Sequence, residues 1–175
     1  MSCTYNYKYE KSDIYMDIYK NPDEKWKDII VNNPEMRNRI TVNELELSSI
    51  LGQGASVSTL STLRSAGKQY IEYIQIKKRS RVLYPLINIC EFTTEMKIAN
   101  KHDWLVRQIK KSDYLELNSN IINQNTIAKI LGVKPGTIIE YRKEGLFIEP
   151  IKVKGTLFLI DNLVSWVLKN SIKCV

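Results

Sequence analysis

TIAKILGVKPGTIIEYRKEGLFIEPIKVKGTLFLIDNLVSWV, residues 126–167, is the stretch that decides how this chain folds. Ile127, Ile130 and Leu131 recur at i, i+3 and i+4, which gives a helix starting near Thr126 one apolar face. Asn123 or Asn125 caps that helix, because either side chain can accept from a free N–H of the first turn. Ala128 is small and lets a second helix cross closely. Gly132 follows the periodic run and suits the left-handed residue that ends a helix. Pro135 fits the first turn of a second helix, where its missing N–H has no partner to lose. Ile138 and Tyr141 face the first helix, and Gly145 ends the second as Gly132 ends the first.

The second helix is expected over Pro135 to Glu144. Its outward positions are Gly136, Thr137, Ile139, Glu140 and Lys143, with Lys134 just before it and Arg142 near the edge. Two short β-prone runs follow, Ile151 to Lys154 and Leu157 to Ile160. The Lys-Gly-Thr turn between them predicts a hairpin with Lys152, Lys154 and Thr156 at its tip. Asp161 is the expected cap of a last helix, with Leu163, Val164 and Val167 apolar and Trp166 as a large core anchor.

In order, the residues read Ala128-x-x-Leu131-Gly132-Val133-x-x-x-Thr137-Ile138, then Glu144-Gly145-Leu146, Lys154-Gly155, and Ile160-Asp161-x-Leu163-x-x-Trp166. This pattern resembles the excisionase and MerR type of winged helix-turn-helix domain. The resemblance covers about a quarter of the chain. It departs at the start of the second helix, where the family often has Ser and this chain has Lys134-Pro135-Gly136. The resemblance implies a second helix that enters a DNA major groove and a hairpin wing that lies along the phosphate backbone. Under it, Thr137 bonds a phosphate or base. Arg142 and Lys143 neutralise phosphates. Glu140 either accepts from a cytosine amino group or pairs with Lys143 or Lys134.

A fainter copy lies about eighty residues earlier, over 42–92. Leu47, Ile50, Leu51 and Gly52 match the first helix and its stop, and Gln53-Gly54 lengthens the turn. Ser56 is a good N-cap for a second helix in which Leu60 and Leu63 take the inward places of Ile138 and Tyr141. Ser58, Thr59, Thr62 and Arg64 complete the expected contact set of that helix. Tyr70 to Ile76 alternates as a half-buried strand, and Val82 to Tyr84 is the return strand. Lys77, Lys78, Arg79 and Arg81 between them make a strongly cationic tip, although a solvated turn has the same composition. Pro85 begins the closing helix.

The net charge of +7 and pI near 9.2 favour a polyanionic partner, and a solvated lysine-rich surface explains them equally well. The basic excess gathers toward residues 121–175. Cys3, Cys90 and Cys174 are far apart and His102 is the sole histidine, so neither a metal site nor a disulfide framework is expected. No cofactor-binding glycine loop and no nucleophile–base pair is present, so neither a cofactor nor an enzyme is expected. The first residues carry charges of both signs, which does not suit a secretory signal. The apolar runs are too short to span a membrane. A cytoplasmic protein, nucleoid-associated when bound to DNA, is the expectation.

Four segments result. Residues 1–40 form a Tyr-rich arm with a short helix over Asp23 to Val31, the expected surface for a homodimer or protein partner. Residues 41–95 and 121–175 form two winged helix-turn-helix units, joined by a connecting helix within 96–120 that is read over 96–117. The fold class is therefore mainly α with small β-hairpin wings (α+β). The expected function is sequence-specific double-stranded DNA binding, as a transcription regulator or an excision or replication accessory factor of a mobile element or phage. The other reading is a protein-interaction adaptor that keeps the fold without touching DNA.

Overall fold

Side-chain caps open five of the described helices, and the helices recur in one order. A computed structural model describes residues 21–52, 54–116, 118–151 and 156–172. Asn21 caps α1 (Pro22–Asn32) by accepting from the Glu24 N–H. A 3-10 turn (Pro34–Asn38) leads to β1 (Thr41–Val42). Asn43 then opens α2 (Glu44–Leu51) with a capping box closed by Glu46. Ser56 caps α3 (Val57–Ser65). After β2 (Tyr73–Ile74) and β3 (Tyr84–Pro85) comes α4 (Leu86–Thr94).

The order then repeats. Asn100 caps α5 (Lys101–Lys110), β4 (Ile121–Asn123) follows, and Asn123 caps α6 (Gln124–Leu131). Next come α7 (Pro135–Lys143), β5 (Leu157–Leu159), α8 (Ile160–Asn170) and β6 (Ser171–Ile172). Among the described residues the chain is thus mainly helical, with small two-stranded sheets.

Matched positions carry matched physics. β1 pairs antiparallel with β3, and β4 with β5, so Tyr84 opposite Val42 corresponds to Phe158 opposite Ile122. The helix α1 packs on α4, and α5 packs on α8. Gly67 (φ +66°) and Gly145 (φ +70°) both end a helix in the left-handed region, where a side chain is costly. Just beyond each, Lys68 N–H donates to the Leu63 carbonyl and Leu146 N–H to the Tyr141 carbonyl, both at 2.8 Å.

The two halves share one apolar core, which runs from Trp26 and Ile29 through Leu47, Leu60, Tyr84 and Ile89 to Ile130, Phe158 and Trp166. Trp26 and Trp104 meet edge to face at 4.9 Å, and the Trp104 indole N–H donates to Asp23. Further contacts join the halves. β2 pairs antiparallel with β6, Tyr73 opposite Ile172. Ile40 N–H donates to the Ile130 carbonyl, and Thr41 Oγ1 to the Leu131 carbonyl. Asn38 and Arg37 bond Asp113.

Several sequence expectations change here. The helix expected over 96–117 covers only Lys101–Lys110, because the chain turns through Ser112 and Leu115 on its way to β4. The helix α5 lies against α8. Asp161 does not cap α8. β5 runs directly into the helix at Ile160, with Leu159 at the cap position and no side-chain cap bond. The strand expected over 70–76 reduces to Tyr73–Ile74, and the return strand leaves β2 after Leu83 to pair with β1. Pro85 belongs to β3, and the helix starts one residue later. Lys152 and Lys154 lie outside the described residues. The Ile151 N–H donates to the Leu157 carbonyl at 2.8 Å.

Candidate nucleic-acid interface

Hydrogen bonds hold the cationic loop between β2 and β3. Ile74 and Leu83 exchange backbone bonds at 2.7 and 3.0 Å. At the tip, Ser80 N–H donates to the Lys77 carbonyl, and Lys77 N–H donates to Ser80 Oγ. Gln75 Nε2 donates to the Ser80 carbonyl. This turn puts Arg79 in the left-handed region at φ +68°, a conformation that Gly adopts at lower cost. Lys78, Arg79 and Arg81 are exposed and form no ion pair among the described residues.

Lys77 points across to the second half, and its ammonium lies 2.5 Å from Glu144 Oε1, at the end of α7. The hydrogen bond to Glu144 raises the lysine pKa against an opposing loss of solvation, with the charges of Glu144 and Glu140 adding to the rise. The loop and α7 therefore form the two walls of one groove of about 320 Å³. Lys77, Lys78, Arg79, Ser80 and Arg81 line one wall, and Thr137, Glu140 and Tyr141 the other. Lys134, Gly136, Glu140 and Lys143 are exposed on or beside α7, and Thr137 is half-buried.

The helix α3 offers less. Ser56 Oγ is spent on the Thr59 N–H and on Thr59 Oγ1, and Thr62 Oγ1 donates back to the Ser58 carbonyl. Arg64 turns inward. Its Nη1 donates to Glu44 Oε1 and to Tyr84 Oη, and the guanidinium lies over the Tyr73 ring. Burial opposes its charge, but the bonds to Glu44 and Tyr84 outweigh burial and raise its pKa. Arg142 does the matching thing in the second half. Nη1 donates to Gln124 Oε1 at 2.6 Å, and the guanidinium lies over Phe158. Both arginines, expected to contact DNA, thus tie the second helix of their unit to the first. Thr156 is exposed just before β5.

No family model matches the chain, and no curated protein or solved structure is significantly similar to it.

Among the described residues, no group of three His, Cys, Asp or Glu side chains is placed to hold a metal ion, and no helix is long and apolar enough to cross a membrane. His102 stands 3.8 Å from Asp103 and 3.9 Å from Asp161 on the surface. Cys90 is buried and free, and burial pushes its thiol pKa upward, away from the reactive thiolate. Of the arm, residues 1–20 lie outside the described residues, and α1 buries Trp26 and Ile29. Sequence reasoning missed Glu44, Gln124 and Tyr84 as partners. Their signal is the repeat itself, since Glu44 with Arg64 and Gln124 with Arg142 fall at matched places in the two halves.

Proposed function

We propose that the protein binds double-stranded DNA in a sequence-dependent way, using two winged helix-turn-helix units. In this reading α7 is the principal groove-reading helix and the 77–81 loop grips the phosphate backbone. The observation that carries it is three exposed cations without counter-ions among the described residues, held by a hydrogen-bonded turn against the outward side of α7. Such a protein serves as a transcription regulator, or as an excision or replication accessory factor. Fluorescence anisotropy with labelled duplex tests this. Affinity should fall by orders of magnitude between about 50 and 200 mM salt. Absence of binding to any duplex at low salt would overturn it.

A second reading, a protein-interaction adaptor, draws on one observation. The hydroxyls of α3 are engaged locally and Arg64 points inward, so that helix presents little free charge. An adaptor keeps its activity when Lys78, Arg79 and Arg81 become Ala, whereas a DNA binder loses affinity and salt slope.

A further inference from the structure

The groove between the loop and α7 is asymmetric. One wall carries Lys78, Arg79 and Arg81, exposed and without counter-ions among the described residues. The other carries Thr137 and the exposed carboxylate of Glu140. A phosphate is attracted to the first wall and repelled by Glu140 on the second. A carboxylate is an acceptor only, so its natural partner in DNA is an exocyclic amino group on a base edge, above all that of cytosine. Glu144 holds the Lys77 ammonium in a hydrogen bond, and Glu140 acts on it only through its charge.

The walls come from different halves, which are tied together beside the groove. The β2–β6 pairing, the bonds from Ile40 and Thr41 to the end of α6, and the Lys77–Glu144 pair hold the loop beside α7. Resting on the DNA-binding reading above, we propose that this groove takes a single DNA strand edge-on, its phosphates on Lys78, Arg79 and Arg81 and a cytosine amino group on Glu140. The two halves then read one uninterrupted site, with Glu140 as a specificity-determining residue, instead of two separable half-sites.

The test is selection from a pool of random-sequence duplexes, followed by sequencing of the retained fraction. Wild type, Glu140→Gln and the triple variant Lys78→Ala/Arg79→Ala/Arg81→Ala are compared. Wild type should enrich one contiguous motif containing a cytosine. Glu140→Gln retains volume and exposure, and it should shift that position toward adenine by roughly tenfold, because Gln pairs bidentately with adenine. The triple variant should lose affinity across the whole motif without changing its pattern. A motif unchanged in Glu140→Gln, or one split into two blocks of which the triple variant loses only one, would overturn the shared groove and leave DNA binding standing. If wild type retains no duplex at all, the DNA-binding reading itself falls, and this inference with it.

Discussion

Thr41 Oγ1 donates a 2.6 Å hydrogen bond to the carbonyl of Leu131, and neither residue is open to solvent. The last carbonyls of a helix have no partner within it, and here a side chain from the other half supplies one. Thr41→Val keeps the shape and removes the donor. It should destabilise the protein by about 1–3 kcal/mol in urea unfolding, the cost of a buried unsatisfied acceptor. Thr62→Val, on the exposed side of α3, should change stability by less than about 0.5 kcal/mol.

Gly132 illustrates the same seam from the other side. Its φ is +68°, and a Cβ there would stand 2.0 Å from Arg39 Nη2. Arg39 is not free to withdraw, since it holds Glu46 through two bonds and the Thr41 carbonyl through a third. Gly67 has a similar φ of +66° with open space around it. Both Gly→Ala variants meet backbone strain, on the order of 1–3 kcal/mol. Gly132→Ala should cost at least about 1 kcal/mol more than Gly67→Ala because of the overlap, and paired denaturant curves measure the difference.

Arg79 sets stability against binding. At φ +68° it occupies a position where Gly relieves strain of about 1 kcal/mol. Arg79→Gly should raise the melting temperature slightly and weaken duplex binding, with the salt slope falling by about 0.9 for the lost phosphate contact. Tighter binding in this variant would argue against the loop as a backbone grip.

Tyr84 confers an alkaline limit. Its pKa is pushed up from 10.0 to about 12, first by burial and then by the charge of Glu44, while bonds from Arg64 and Gln69 pull the other way. The folded state therefore holds the phenol proton more tightly than the unfolded chain. The contribution, about 2–3 kcal/mol, is fully present below pH 10 and is lost as pH rises toward 12. Tyr84→Phe, which copies Phe158 in the second half, should flatten stability against pH across that window. Urea midpoints taken below pH 10 and near pH 12 check it.

Trp104 ties α5 to α1 through its ring contact with Trp26 and its bond to Asp23. Trp104→Ala should cost about 3–5 kcal/mol. Because the core is shared, the wild-type protein should melt in a single calorimetric transition, with the calorimetric and van't Hoff enthalpies equal. Two separate transitions would show that the halves are energetically independent.

What the sequence made legible is what local chemistry dictates. Positive φ at Gly132 and Gly145, caps at Asn123 and Ser56, and the inward faces of Ile138 and Tyr141 depend on neighbours within a turn or two. β1 and β4 escaped notice because strands of two or three residues show no alternation, and their partners lie some forty residues away. The density of charge at 77–81 was plain, but its placement against α7 was not. That depends on pairing between β2 and β6 and on Lys77 reaching a glutamate 67 positions on. Arg64 reads as an outward position and Arg142 as one near the edge of its helix, and only the preceding helix, carrying Glu44 and Gln124, turns them inward.

The strand pairing of Tyr73 with Ile172 also governs how the protein is made. When the ribosome has finished the first half, one edge of β2 has no mate, and its partner is about a hundred residues away. At roughly 5–20 residues per second, that edge waits for several seconds in the open. The nascent chain thus passes through an interval in which the cationic loop is already present but its rigid footing is not. Slowing translation within the second half should lengthen that interval and lower the soluble yield, with no change in the sequence of the finished protein.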